Sequence, residues 1–268
     1  MGLKLSLFRP ESKPIEKSFV FITGTPRSGT SMLTKVIDAH PDAAILMENL
    51  FGNRRRHWER ASFWNEPQLL QAEIEKVYSP FKQQLIGNKV CTPDVWSAED
   101  IVTFCQFFSD SKFIFIVRDP IEVALSRFRR ENYDKEFNSF ARQHMQLDFR
   151  SRSFTYTSSW AGSIQNYWFL KELFPTKTLL IYYDDFCNTF EDHLHTLVDF
   201  LDLPFSEKML KWHELPHHDS EGVLQVNLKY DDEPVFVNKS KSSSLTDELM
   251  LAMATIEPLY NRWKKRSL

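Results

Sequence analysis

Cysteine is scarce: the 268 residues hold three, Cys91, Cys105 and Cys187. They form no C-x-x-C pair and lack the spacing of a zinc site, and an odd number is a poor basis for a disulfide framework. Reduced thiols in a reducing compartment are the expectation. Charge of one sign is lacking too, because 33 Lys and Arg stand against 36 Asp and Glu, for a net of −3. So balanced a surface does not advertise nucleic-acid binding, and an anionic ligand must be met by a local basic cluster. Internal repeats and low-complexity tracts are absent, and no apolar run is long enough to cross a bilayer. The opening MGLKLSLFRP is too short and too charged for a secretory signal, although Gly2 and Ser6 fit the acylation pattern M-G-x-x-x-[ST]. The expectation is a soluble, cytoplasmic protein of one domain over 1–268, with 1–17 as a loose polar lead-in.

What is present is aromatic and periodic. Phenylalanine occurs 23 times, which points to thick aromatic packing or an aromatic-lined pocket. Short apolar runs at 18–23, 43–47, 112–117 and 178–183 read as buried strands, and 88–93 reads as another. Between them, 66–86 and 97–108 carry helical patterns, and Leu194, Leu197, Val198 and Leu201 form a helical stripe ending at Leu203-Pro204. A last helix runs from Leu245 to Trp263 with a bend at Pro258. Strands alternating with helices predict an α/β fold with a central parallel sheet, and in such sheets ligands sit beyond the carboxyl ends of the strands.

Two strand ends carry chemistry. The stretch TGTPRSGTS (23–31) places Gly24 and Gly29 around Arg27 and ends in Thr30 and Ser31. It resembles a P-loop whose lysine is replaced by Thr30. The glycines allow close backbone approach, and the amides of Ser28, Gly29, Thr30 and Ser31 at a helix N-terminus form an anion nest. Arg27 adds a planar fork of donors. In KFIFIVRDPIEVALSRF (112–128), the strand runs into Arg118, Asp119 caps a helix with Pro120 in its first turn, and Ser126 follows two turns along. Arg118 and Ser126 are thus placed to clamp a second phosphate.

In order and spacing, these two segments, with TLLIYYDDF (178–186) and LHTLVDFLDLP (194–204), resemble the sulfotransferases that use 3′-phosphoadenosine 5′-phosphosulfate. The likeness covers about residues 18–205. The arginine in the first loop and DAHPD (38–42) are more similar to the tyrosylprotein and carbohydrate branches, here without a membrane anchor. The resemblance implies the three-layer P-loop-like fold of that family. It implies that Arg27, Ser28, Gly29, Thr30 and Ser31 hold the donor's 5′-phosphosulfate, that Arg118 and Ser126 hold its 3′-phosphate, and that Tyr183 reaches the adenosine. Adenosine 3′,5′-bisphosphate would be the product, with no metal involved. Glu48, after the second strand, matches the catalytic glutamate of the tyrosylprotein branch, and Arg27 with the loop amides would stabilise the leaving phosphate.

Rival readings stay open at this level. His40 is a second candidate base, although HP at a helix end is more often structural. RRRHWER (54–60) fits an acidic or sugar-like acceptor or a solvated helix face, and Lys239 and Lys241 in FVNKSKSSS (236–244) fit a lid. A P-loop kinase would use Asp119 or Asp184 for a metal, and a non-catalytic adenosine-bisphosphate-binding protein would keep the site without the base. The Phe, Trp and Arg content of 49–86 and 132–175 suits a small molecule, lipid, sugar or peptide acceptor.

Overall fold

The run SFVFIT alternates aromatic and aliphatic side chains, and a strand sends successive residues to opposite faces. In the computed structural model, which describes residues 15–47, 67–93, 97–133, 149–219, 224–225 and 247–268, this run lies in the central strand β1 (Ile15–Gly24). Beside it stand β2 (Ala43–Met47), β3 (Leu85–Cys91), β4 (Phe108–Val117) and β5 (Thr178–Tyr182). The strand order is β2-β3-β1-β4-β5, and every neighbouring pair is parallel. The chain moves from β1 to one side for β2 and β3 and to the other for β4 and β5. The end of β1 is therefore the switch point at which such sheets bind ligands.

Parallel pairing needs long crossovers, which helices supply. They are α1 (Thr30–Asp38), α2 (Pro67–Tyr78), α3 (Ala98–Cys105), α4 (Pro120–Tyr133) and α5 (Phe149–Leu173). After the sheet come α6 (Tyr183–Asn188), α7 (Phe190–Leu201), α8 (Asp247–Ala254) and α9 (Glu257–Lys264). Sequence alone sets the cap of α3: Ser97 Oγ accepts the Asp100 N–H while the Asp100 carboxylate accepts the Ser97 N–H, a capping box.

The alternation in β1 and β4 builds two unlike core layers. Phe19, Phe21, Phe113 and Phe115 face Tyr78, Phe104, Phe108 and Tyr167 on one side. Val20, Ile22, Ile114 and Ile116 face Leu33, Val36, Ile37, Leu194, Leu197 and Val198 on the other. Phe19 is the hub of the aromatic layer, with ring centroids at 4.2 Å from Phe108, 4.8 Å from Phe21 and 5.2 Å from Tyr78. A third cluster packs Tyr156, Trp160 and Ile164 of α5 against Val123 and Ala124 of α4 and Leu249 and Met253 of α8.

Several boundaries differ from the sequence reading. β1 begins at Ile15, whose N–H bonds the Phe107 carbonyl at 2.9 Å, so residues 15–17 belong to the sheet rather than to a lead-in. The C-terminal helix is two helices, with Pro258 in the first turn of α9, where a missing N–H does no harm. Tyr183 opens α6 instead of ending β5.

His217 and His218 form the short strand β6 (His217–His218), paired antiparallel with β7 (Leu224–Gln225). Asp38, the last residue of α1, holds them. Its Oδ1 accepts the Ile45 N–H and His218 Nδ1, both at 2.7 Å, and its Oδ2 accepts the His218 N–H at 2.7 Å. His217 Nδ1 stands 3.7 Å from Oδ2. The Asp219 carbonyl then accepts the Met47 N–H at 3.4 Å, against the carboxyl end of β2. Burial pushes the Asp38 carboxyl up, but the nearby His217 ring, the bonds from His218 and the bond from the Ile45 N–H more than offset it and hold it below the usual carboxylate range.

Phe19→Ala is expected to destabilise the fold by about 3–5 kcal/mol, read from urea denaturation. A loss below about 1 kcal/mol would deny Phe19 its central place. Asp38→Asn should cost about 2–3 kcal/mol at neutral pH, where the carboxylate accepts all these bonds. Because the folded pKa is depressed, that stability is present above the unfolded value of about 4 and is lost as pH falls through the folded one. The gap between variant and wild type should therefore close in acid, and a gap independent of pH would contradict the assignment.

Candidate active site

β1 ends at Gly24, and the loop that follows leads straight into α1. Gly24 has φ 154° and Gly29 φ 104°. A Cβ on Gly24 would lie 2.4 Å from the Ile116 carbonyl oxygen, and one on Gly29 would lie 2.5 Å from the Tyr183 ring. Neither position has room for a side chain. Gly29 is also the N-cap of α1 and offers no side-chain cap, so the first-turn amides are left to a ligand.

Within the loop, Thr25 is the pivot. Its carbonyl accepts the Ser28 N–H at 3.2 Å and the Ser28 hydroxyl at 2.7 Å. Ser28, fully buried, thus spends both donors on closing the turn. The nest expected from Ser28 to Ser31 narrows to the amides that follow. Thr30 is buried, and its carbonyl accepts the Thr34 hydroxyl at 2.8 Å. Ser31 is exposed on the first turn of α1.

Arg27 takes φ 75°, the left-handed region that side chains avoid, and is exposed. Its Nε donates to Ser126 Oγ on α4 at 3.1 Å. The two arms predicted separately, for the two ends of a donor, are therefore in direct contact.

Arg118 follows β4 and lies against the Tyr183 ring, with its guanidinium carbon 4.6 Å from the ring centroid. Since the same ring covers Gly29, Arg118, Tyr183 and the loop form one stack. Trp160 Nε1 donates to the Arg118 carbonyl at 2.9 Å, and Glu122 stands 3.5 Å from Nη2. Arg118 Nε is buried with no hydrogen-bond partner among the described residues. Burial, then Cys187, pushes the Tyr183 phenol up to about 12, so it stays protonated. Asp119 caps α4 by accepting the Ile121 N–H at 2.7 Å, as the sequence predicts. Burial raises its carboxyl above the usual range.

Two cations here were not predicted. Lys89, in the middle of β3 and 7% exposed, donates through Nζ to Ser31 Oγ at 3.2 Å. Its register partner across the sheet is Met47, the last residue of β2. Arg127, also 7% exposed, donates through Nη1 to Ser159 Oγ at 3.0 Å, and Ser159 Oγ lies 3.0 Å from Thr25 Oγ1. The available signal was a lysine inside a fully buried strand and an arginine beside the helical stripe of α4. Both look like surface charge until the sheet and α5 are placed around them.

The remaining candidates scatter. His40 is structural: Nε2 donates to the Pro204 carbonyl at 2.8 Å and Nδ1 accepts the Asp42 N–H at 3.1 Å. Glu48, the stretch 54–60, Lys239 and Lys241 lie outside the described residues. The three cysteines are free thiols. Among the described residues, no helix is long and apolar enough to cross a membrane.

A family model described as the sulfotransferase family matches residues 19–207. Protein-tyrosine sulfotransferase A of Caenorhabditis elegans is 25% identical over 212 residues, 74% of this chain and 53% of that protein. The protein-tyrosine sulfotransferase of Drosophila melanogaster is 24% identical over 220 residues, 76% of this chain and 40% of that protein. The chain thus spans about half, or less, of the length of these two relatives. Among solved structures, mouse sulfotransferase SULT7A1 complexed with PAP superposes with TM-score 0.58 at 17% identity, covering 93% of this chain and 86% of that one. The sulfotransferase domain of the Synechococcus PCC 7002 olefin synthase gives TM-score 0.57 at 18% identity, covering 93% and 98%. These likenesses establish the three-layer sulfotransferase fold.

Gly29→Ala is expected to lose about 1–2 kcal/mol from the left-handed backbone alone, with a further loss as Tyr183 is pushed off the loop. Thermal denaturation reads the sum, and an unchanged Tm would mean that the loop does not need this conformation.

Proposed function

Because this chain belongs to the sulfotransferase family, we propose that the β1 loop and the ends of β4 and β5 bind 3′-phosphoadenosine 5′-phosphosulfate for sulfuryl transfer to a hydroxyl or amine acceptor. The observation that carries the reading is the buried, unpartnered Nε of Arg118, stacked on the ring that covers the glycine loop. An unsatisfied buried guanidinium donor is costly, and a phosphate oxygen is its natural partner. The loop amides and Arg27 then serve the 5′-phosphosulfate, while Arg118 and Ser126 serve the 3′-phosphate. Tyr183 serves as wall and spacer between the two ends.

Transfer forms a bond from the acceptor atom to sulfur and breaks the bond from sulfur to the 5′-phosphate oxygen, which leaves with the electron pair. Arg27 and the first-turn amides of α1 stabilise the charge that collects on that oxygen. Lys89, through Ser31, supplies a cation close to where a P-loop lysine would act, delivered from a neighbouring strand. Glu48 takes the acceptor's proton. The two relatives are named for tyrosine sulfation, which makes a tyrosine phenol the first acceptor to test. The kinase alternative loses support at Asp119, whose carboxylate caps α4.

Titration calorimetry with adenosine 3′,5′-bisphosphate and with magnesium-ATP tests the reading. Metal-independent binding of the first and weak binding of the second are expected. Arg118→Met should weaken the first by about ten- to a hundredfold. Preference for magnesium-ATP would overturn the proposal. Glu48→Gln should keep that affinity and reduce transfer to a tyrosine peptide by about 10²–10⁴-fold; unchanged transfer would remove Glu48 as the base.

A further inference from the structure

The stack of Arg118 on Tyr183 stands at a weak place in the sheet. β5 is an edge strand, paired with β4 alone, and its last pair joins Val117 to Tyr182. Tyr183 is therefore the first residue beyond the ladder. It opens α6, whose six residues are too few to hold a helix without help from their surroundings. Phe186, fully buried in the aliphatic layer, anchors that helix from inside.

The residues that follow α9 supply a second anchor from the surface. Arg266 donates to the Asp185 carboxylate twice, Nε to Oδ2 and Nη2 to Oδ1, each at 2.8 Å. Its guanidinium carbon lies 4.6 Å from the centroid of the Tyr182 ring and 5.0 Å from that of Trp263. The Leu268 N–H reaches the Tyr182 hydroxyl at 3.3 Å. One guanidinium thus grips the residue before Tyr183 and the residue two after it. Tyr260, on α9, secures the other member of the stack. Burial, then Asp119, pushes its phenol up to about 12, so it keeps the proton that it donates to Asp119, the neighbour of Arg118.

We propose that Arg266 is a positioning residue for the donor site: it holds Tyr183 over Gly29 and against Arg118, so that Arg118 meets the 3′-phosphate. This rests on the assignment of Arg118 and Tyr183 to the donor made above. Arg266 acts through Tyr182 and Asp185 and needs no contact with the nucleotide. An ion pair at the surface contributes little by its charge alone. This one is forked, planar and stacked on rings, and those properties belong to arginine rather than to lysine. Its effect is on geometry. A Tyr183 that moves off Gly29 by about 1 Å takes the support of Arg118 with it, and a shift of that size is enough to spoil a charged contact.

Two opposite charge changes test this without an acceptor. Dissociation constants of adenosine 3′,5′-bisphosphate are measured by calorimetry for wild type, Arg266→Met, Arg266→Lys, Asp185→Asn and the double variant Arg266→Met with Asp185→Asn. Circular dichroism confirms that each is folded at the temperature used. Positioning predicts that Arg266→Met and Asp185→Asn both weaken binding, by about five- to twentyfold. The double variant should be no weaker than the worse single one, because the two residues act through one contact. Arg266→Lys should resemble Arg266→Met. Charge acting at a distance predicts another pattern, since losing a cation weakens a polyanion and losing an anion strengthens it. Tighter binding by Asp185→Asn, unchanged binding in both single variants, or full rescue by Arg266→Lys would each refute the positioning role. If Arg266→Met does not fold, the isosteric Asp185→Asn still decides by the direction of its change. If Arg118→Met leaves bisphosphate affinity unchanged, the site assignment itself has failed. If that variant weakens binding while those at Arg266 and Asp185 do not, only the positioning role has failed.

Discussion

The backbone of the β1 loop lies so close to its neighbours that two of its residues have no room for a Cβ, and the rest of the site depends on this approach. Gly24 sits under the Ile116 carbonyl and Gly29 under the Tyr183 ring, each closer than any Cβ contact would permit. The contact with Ile116 ties the loop to β4, and the contact with Tyr183 ties it to the end of β5. Tyr183 in turn supports Arg118. A helix N-terminus alone attracts an anion weakly and with little direction. Here the surrounding strand ends fix where it points, because the loop cannot rise without losing its contact to both.

On the proposed function, that arrangement also answers how a chain with a net charge of −3 would hold a polyanion. Among the described residues, four cations surround one loop, each delivered by a different element and each engaged with a hydroxyl or a ring. Arg27 belongs to the loop, Arg118 to the end of β4, Arg127 to α4 and Lys89 to β3. In water such a group of like charges would repel. Around a closed loop of amides, hydroxyls and one tyrosine ring, each is held in place by its own neighbour, an arrangement that favours the entry of anionic charge. The lysine missing from the loop is replaced by convergence.

The parts legible in the sequence were those written in local grammar. The strands at 43–47 and 112–117 and the stripe at Leu194–Leu201 announce themselves by period, and the glycine loop by its spacing. Arg118, Ser126 and Asp119 follow from one strand-to-helix junction. What the sequence concealed was long-range. Lys89 matters because β3 lies beside β1, and nothing in GNKV says so. Asp38 and His218 are 180 residues apart and meet only when β6 returns to the end of β2. α5 is hidden for another reason. It is packed on several sides, with Ser153, Thr157, Ser159 and Ser163 buried among Tyr156, Trp160 and Ile164. Its apolar residues therefore form no single stripe.

On the proposed function, the strand order divides the work of transfer between two sides of β1. Arg118, just after β4, and Tyr183, the first residue of α6 after β5, are the groups proposed to face the nucleotide. β3 and β2 carry Lys89 and, one residue after Met47, Glu48 in the sequence. An in-line displacement needs its attacking and leaving groups on opposite sides of sulfur. A sheet whose order reverses at β1 provides two such sides, with the loop amides between them. On this reading, donor recognition is confined to β1, β4 and β5, where the resemblance between family members is written. Acceptor choice falls to the segments after β2, which can vary without disturbing the donor grip. The Asp38 staple has a place in that division. By fixing β6 and Asp219 against the last residue of β2, it braces the acceptor side from outside the sheet, as Arg127 braces the donor side from behind the loop.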